Sequence, residues 1–337
     1  MTLELICPGL LGPIPARPHP FPKTSTLDRL LGRAERIPCA ISDPEAILLA
    51  AAGLPVKPDQ DLPTALLCLL ADDPAANLNA HWMHADPVHL RADRDRLLLF
   101  AGADIAPDRA EANALVTLFN AHFRDDGLHL LAPTPGRWYL RVDRAPDLHA
   151  RPLHQVLARS ISDALPDGSD ASRWIGMLNE AQMLFFDSVV NRERERQRRP
   201  VISGIWTWGG GRLPSALIDA PALIVGDHPL TRGLARYAGS QHLTPQVWCA
   251  GASGSAGSTL IAWDASQAAL QAQDLSAWSQ SLLTLNACLT GAENQLRHGG
   301  LSQISIHPCQ GMRFQVTRRQ LRRFWRRQGL RWWLNMA

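Results

Sequence analysis

The chain has 337 residues, 46% hydrophobic and 19% charged, which is enough apolar material for one large domain or two ordinary ones and excludes wholesale disorder. No apolar run approaches the length of a membrane-spanning helix, and the start, Met1 to Gly9, has no basic stretch and meets an acid at Glu4, against a secretory signal. Six scattered cysteines without a C-x-x-C pair predict reduced thiols, and hence a soluble cytoplasmic protein.

The formal net charge of +3 conceals an asymmetry. From Met312 onward there are eight arginines and no acid, so the rest of the chain carries −5. Only Lys23 and Lys57 are lysines among 34 basic residues, a chain-wide preference that says nothing about phosphate chemistry.

In chain order, Leu3–Leu11 is an apolar run broken by Pro8-Gly9, a buried strand feeding a loop. Thr26–Arg33 reads as a short helix. Ser42-Asp43-Pro44-Glu45 then opens a helix over Ala46–Ala52, with a cap, a proline and an acid in the first turn. Pro63–Leu70 is helical, Leu97–Phe100 a strand, and Pro107–Phe123 a helix. Leu128–Leu131 and Trp138–Val142 form a strand pair around Pro133-Thr134-Pro135-Gly136. One long helix is predicted over Ala171–Arg199, and Val201–Trp208 is strand-like before Gly209-Gly210-Gly211. Ala222–Val225 and Thr259–Trp263 are buried strands flanking a helix at Leu230–Ala238. Trp278–Leu296 is a helix, and Gln303–His307 with Arg313–Val316 a closing strand pair. Strands alternating with helices predict an α/β fold with a mostly parallel sheet flanked by helices. The strands Leu3 onward, Val201–Trp208, Ala222–Val225 and Thr259–Trp263 lack a clean polar alternation and are expected to be buried on both faces, the first lying centrally beside one of the others.

Several constellations could carry chemistry. His81-x-x-His84-x-Asp86-x-x-His89 is the densest group of potential ligands, but a strand puts His81 and His89 on the face opposite His84 and Asp86, and Asp86-Pro87 breaks a helix. A loop or hinge is the bland alternative. Gly209-Gly210-Gly211-Arg212 after a strand could cradle an anion, with Arg212 forking onto it, or could simply be a turn; it lacks the Gly-Lys-Ser/Thr ending of a nucleotide loop. The small-residue run Ala250–Ser258 reads as a linker or a lid. Near the end, Leu321, Phe324, Trp325, Gln328 and Trp332 would line one helical stripe edged by arginines. Such a stripe suits an acidic partner, nucleic acid or a membrane surface, or else packs on the acidic body of its own fold.

Taken in order, several of these pieces resemble archaeal-type cofactor-independent phosphoglycerate mutases of the alkaline-phosphatase superfamily. The carriers are Ser42-Asp43 followed by Gly53-Leu54-Pro55, the stretch Asp93–Ile105 with its helix and Asp126-Gly127, Asn191-Arg192-Glu193-Arg194 before the strand and Gly209-Gly210-Gly211, and Leu230–Ala235. The whole chain is also similar to the RpfE-type proteins named for regulation of pathogenicity factors. The resemblance implies a discontinuous phosphatase-like core of residues 1–85 and 201–312, an inserted substrate-type domain of residues 86–200, and a basic tail of residues 313–337.

The resemblance also implies a test. The family reaction uses two divalent metals, a nucleophilic serine and Asp/His ligands. Ser42 sits at the nucleophile's place. Yet the first strand ends in Cys7-Pro8-Gly9 where the family has an aspartate, no Asp-x-x-x-His-Asp follows Thr259–Ile261, and Gly226-Asp227-His228 comes too early to be the family's ligand triplet. The expectation is therefore a non-catalytic, phosphoglycerate-mutase-like regulatory protein with no resident cofactor or metal, binding a small phosphorylated metabolite through Asp43, His84, Arg137, Gly210, Gly211 and Arg212. Alternatives are an active metal-dependent mutase or phosphatase using Mn, Mg or Zn, and an interaction protein working through Arg318, Arg322, Arg326, Trp325 and Trp332, with a protein or acidic surface rather than nucleic acid as partner.

Overall fold

The computed structural model describes the chain except residues 17, 58–59, 95, 216, 252–256, 327 and 336–337. Among the described residues twelve strands are formed: β1 (Thr2–Ile6), β2 (Glu35–Pro38), β3 (His81–Asp93), β4 (Arg96–Ala101), β5 (Leu128–Thr134), β6 (Arg137–Val142), β7 (Gly204–Trp208), β8 (Leu223–Val225), β9 (Gln241–Leu243), β10 (Thr259–Ala262), β11 (Gln303–His307) and β12 (Met312–Thr317). They make two sheets in two compact units, one of residues 1–56 and 214–337, the other of residues 57–213.

The first unit holds a seven-stranded sheet in the order β2-β12-β11-β1-β10-β8-β9. β11, β1, β10, β8 and β9 run parallel, and β12 and β2 close one edge antiparallel. β1 is central, between β10 and β11, because Leu3 and Leu5 align with Ile304 and Ile306 and with Ile261 into one apolar face. That face packs on the helices Ser25–Arg33 and Leu275–His298, whose Leu27, Leu30, Trp278, Leu282, Leu285 and Leu289 are fully buried. Each such side chain contributes on the order of 1.5–3 kcal/mol. The long helix starts at the Asp274 cap, which accepts from Ala277 N at 2.9 Å, and stops at Gly299, whose φ of 87° a side chain would resist.

The other face differs from the expectation of burial on both sides. Across β1, β11 and β12 the alternate rungs are polar: Thr2 with Gln303 and Thr317, and Glu4 with Ser305 and Gln315. The period-2 alternation is present in the sequence, but two short five-residue strands show it over too few positions to stand out from an apolar run.

The second unit is built on an antiparallel sheet, β4-β3-β6-β5, with β7 on β3. Its main core joins Leu140 and Trp138 to Phe119 of the helix Arg109–His122, to Phe123 that caps that helix's end, and to Phe185 of the helix Ala171–Phe186. β7 was expected in the parallel sheet. It instead pairs with β3, so the units divide at 56/57 and 213/214 rather than at 85/86 and 200/201. β3 crosses the segment that the sequence alone leaves as a loop: pairing with β6 ends at His84, pairing with β4 begins at Val88, and β7 pairs with the stretch between, Pro87 standing opposite Ile205. The single long helix expected over 171–199 is two, broken at Asp187-Ser188, where Ser188 Oγ accepts from Asn191 N and caps Val189–Arg196. The arginine-rich end is no continuous helix either. It forms β12, a turn at Gln320–Arg322 and a short helix Leu330–Trp333, and it packs on its own unit through buried Leu321, Leu330 and Trp333. No helix among the described residues is long and apolar enough to cross a membrane.

Candidate functional site

The carboxyl end of the parallel sheet is where a chain of this topology would assemble phosphate chemistry. Here β1 leads to Cys7, β10 to Asp264 and β11 to Cys309, with the helix Pro44–Ala51 opening at Ser42-Asp43. Asp43, not Ser42, is the helix cap: its Oδ1 accepts from Ala46 N at 2.8 Å. Ser42 is exposed. Cys7 is fully buried and its Sγ points to Ser266 Oγ at 4.0 Å, at the end of a chain running through Ser281 to Trp263 Nε1. Burial pushes the Cys7 thiol far up and the Cys309 thiol to about 12. Among the described residues no three His, Cys, Asp or Glu side chains converge as a metal would require. The donor set does not fit a two-metal centre, and no catalytic step is derived through one.

Gly226-Asp227-His228 opens a helix. His228 Nδ1 accepts from Leu230 N at 3.2 Å, and a Cβ on Gly226 would lie 2.7 Å from Thr231.

In the second unit a cavity of about 610 Å³ is lined by Asn77, Asn79, His81, Arg141, Asp143 and Arg212, with Gly211 beside them. Arg141 arises from β6 and His81 from β3, in adjacent rungs, while Arg212 follows the glycines after β7. Arg141 Nε is shielded from solvent and has no hydrogen-bond partner, and its NH2 lies 3.8 Å from Asp143 Oδ1, a loose contact. Burial and the Arg212 charge both hold His81 below the usual histidine range. Three basic side chains against one carboxylate make a positive, polar hollow suited to a small anion.

The glycines have a packing role of their own. A Cβ on Gly211 would lie 2.3 Å from Asp61 O, one on Gly210 would lie 2.9 Å from His81 Nε2, and Gly209, at φ 69°, accepts from Ala65 N. Of the other expected ligand residues, Arg137 is committed elsewhere: its guanidinium forks onto Asp72 at 2.7 and 2.9 Å, and Tyr139 Oη donates to the same carboxylate at 2.8 Å. His84 is buried and stacked on Trp208, ring centroids 4.1 Å apart, on the face opposite His81. Asp86 shares the His84 face and accepts from Trp208 Nε1 at 2.7 Å. Burial pushes its carboxyl up to about 7 against the pull of that hydrogen bond and of Arg137. Nothing brings Asp43 together with His84, Arg137 or Arg212 within a unit: it belongs to the first and they to the second.

The Asn-x-x-Arg motif is structural. Asn191 Nδ2 donates to the carbonyls of Phe185 and Ile202 and its Oδ1 accepts from Ile202 N, while Arg194, 1% exposed, reaches Glu111, Ile105 O and Pro200 O. The motif clamps two loops onto the helix Val189–Arg196. The Ala250–Ser258 run, read as linker or lid, lies largely on residues 252–256, outside the described residues. In the basic end, Arg318, Arg322 and Arg326 are exposed, Phe324 and Trp325 project as an edge-to-face pair, and Trp332 is half-buried against Trp333.

Sequence reasoning missed Arg141 and His81 as a pair. His81 belongs to the histidine cluster and Arg141 stands alone in the sequence; the β3–β6 register sets them in neighbouring rungs on opposite faces, and it is the shared cavity that brings them together.

No protein-family profile matches the chain. A 69-residue segment is 36% identical to the 2,3-bisphosphoglycerate-independent phosphoglycerate mutase of Methanothrix thermoacetophila, covering 20% of this chain and 18% of that protein. A 63-residue segment is 32% identical to a probable enzyme of the same name in Geobacter sulfurreducens, covering 19% and 16%. The matched segments thus span under a fifth of those relatives. Among solved structures, the PH0037 protein of Pyrococcus horikoshii superposes over 94% of this chain and 87% of its own at a TM-score of 0.57 and 13% identity. A cofactor-independent phosphoglycerate mutase from Thermoplasma acidophilum also matches, over 94% of this chain and 89% of its own, at 0.48 and 13%. The chain therefore shares the mixed α/β fold of the PH0037 protein, and one short segment of it is similar to 2,3-bisphosphoglycerate-independent phosphoglycerate mutases.

Proposed function

We propose that this protein is a phosphoglycerate-mutase-like binding protein without mutase turnover, which takes a small phosphorylated anion into the cavity of its second unit and acts as a regulator of the RpfE type. The observation that carries the reading is the approach of Arg141, Arg212 and His81 around one polar cavity, with Arg141 Nε buried and unpartnered. A guanidinium pairs with phosphate in the ground state, so it supports binding. Activating a serine without a metal is a different demand, since losing the ions removes several kcal/mol of transition-state stabilisation and each ~1.4 kcal/mol is tenfold in rate. Ser42 is exposed, beside the cap formed by Asp43.

Two measurements on one preparation test this. Calorimetric titration with 3-phosphoglycerate and with inorganic phosphate should show saturable binding, lost in Arg212→Ala or Arg141→Ala. A coupled mutase assay with manganese or cobalt should show no turnover. Robust turnover abolished by Ser42→Ala would overturn the reading in favour of an enzyme. Binding should tighten as pH falls through the His81 range, because an anion favours the charged imidazole.

A second reading, an acidic protein partner for the basic end, is favoured by Phe324 and Trp325, 72% and 66% exposed among exposed arginines. Replacing both rings by serine should abolish salt-sensitive binding to a polyglutamate peptide and leave phosphate binding intact.

A further inference from the structure

The polar face of the parallel sheet in the first unit encloses a second cavity, of about 530 Å³, remote in character from the positive hollow described above. Parallel strands are ordinarily covered on both faces by apolar packing. Here Glu4 projects from the central strand, His307 from the end of β11 and Arg313 from β12, all into one space. Ile41, Ile47 and Leu260 supply an apolar wall beside them.

The charges are arranged in a specific way. His307 Nε2 meets Glu4 Oε2 at 2.8 Å, which leaves that carboxylate with further acceptor capacity. Arg313 Nε is shielded from solvent and has no hydrogen-bond partner, and among the described residues no carboxylate forms an ion pair with Arg313. Such a group is costly unless something completes it. Glu4 and Arg313 stand on strands that both flank β11, with backbones about 10 Å apart, a span that the two long side chains reduce to the size of a small molecule. The cavity therefore offers a guanidinium whose Nε lacks a partner, the Glu4 carboxylate that can accept more with Asp219 as a second carboxylate in the lining, and an aliphatic wall.

We infer that this cavity binds a zwitterionic α-amino acid with an aliphatic side chain, its carboxylate on Arg313, its ammonium on Glu4 and its side chain against Ile41, Ile47 and Leu260. The volume lies within the usual 300–1,000 Å³ of small-molecule sites. A simple anion would satisfy Arg313 but face the Glu4 carboxylate. A simple amine would satisfy Glu4 and leave Arg313 bare.

The test uses the whole chain and three probes of one shape: L-leucine, 4-methylpentanoate, which lacks the amine, and 3-methylbutylamine, which lacks the carboxylate. Calorimetry should show saturable leucine binding, weakened at least about tenfold by deleting either charge from the ligand. Arg313→Met and Glu4→Gln should each weaken leucine by a similar factor, with folding checked by circular dichroism. Ile47→Trp, which fills the cavity, should abolish binding without touching either charge. Absence of saturable leucine binding up to its solubility overturns the proposal. So does equal affinity for 4-methylpentanoate, or leucine binding unchanged in a folded Arg313→Met protein. Because the phosphate cavity is lined by other residues, Arg212→Ala should leave leucine binding as it was, so either site can fail without the other.

Discussion

Trp208 Nε1 donates to Asp86 Oδ2 at 2.7 Å inside the second unit, and this one bond is set against the burial of the carboxyl it serves. Burial dominates, so the carboxyl titrates near 7 instead of in the ordinary carboxylate range. A folded-state value above the unfolded one means the folded chain holds the proton longer. Stability from this group is then fully present below pH 4 and falls as pH rises towards 7, by on the order of 2–4 kcal/mol. Asp86→Asn keeps an acceptor for Trp208 and removes the titration. Urea denaturation of wild type and variant at pH 4.5 and 7.5 should show a gap that moves in the variant's favour with rising pH. A gap independent of pH would contradict the assignment.

Arg137 was a candidate anion contact by resemblance, and the structure gives it a different partner. Its fork holds Asp72, whose side chain is 4% exposed, and Tyr139 shares that carboxylate. Arg137→Ala strips a buried carboxylate of its cation. The expected cost is about 2–3 kcal/mol, less than for a fully buried pair because Arg137 is 36% exposed and the tyrosine bond remains. Adding Asp72→Asn should recover part of it. A stable Arg137→Ala protein that has lost phosphate binding would restore the ligand role.

The fold was largely legible, and the site only in fragments. β1, β8, β10, β11 and β12, and the helices at Pro229–Ala238 and Leu275–His298, stand where apolar runs, caps and glycines indicate. β3 was hidden because Asp86 and Pro87 speak for a turn, and the pairing of β3 with β7 that overrides them joins residues 116–124 positions apart. The same long-range pairing moved β7 out of the parallel sheet. Short motifs carry a structural demand that one sequence does not display: Asn191 with Arg194, Gly209 to Gly211, and Gly226 with His228 each resemble ligand-binding signatures, and each also serves local packing or capping. No spacing rule in one sequence distinguishes a glycine needed for a ligand from one needed for a neighbouring backbone.

The expectation of reduced thiols needs a correction at one pair. Cys249, at the end of the helix Pro245–Cys249, and Cys288, in the long helix Leu275–His298, are joined in a disulfide with Cα atoms 4.8 Å apart. Scattered spacing concealed it, since the two positions are 39 residues apart. Closing a loop of that length constrains the unfolded chain by about 3–4 kcal/mol in the chain-entropy account. Peptide mapping without reductant should recover the Cys249–Cys288 linked pair. Dithiothreitol or Cys288→Ser should lower the melting temperature by several degrees, while Cys7, Cys39, Cys68 and Cys309 stay unlinked.

The glycine run after β7 can be divided by substitution into packing and recognition. A Cβ at position 211 would come within 2.3 Å of Asp61 O and 2.6 Å of Pro63 N, both backbone atoms that cannot swing aside. Gly211→Ala should therefore cost about 3 kcal/mol of stability, the upper end of overpacking. Arg212 is exposed, and Arg212→Ala removes no buried contact, so its stability should stay within about 0.5 kcal/mol of wild type. The two variants should separate cleanly. Gly211→Ala melts early, and what remains folded at low temperature binds phosphate with nearly unchanged affinity. Arg212→Ala melts normally and binds phosphate weakly. If Gly211→Ala were as stable as wild type yet unable to bind phosphate, the glycines would be a cradle for the anion rather than a seat for the Asp61–Pro63 backbone.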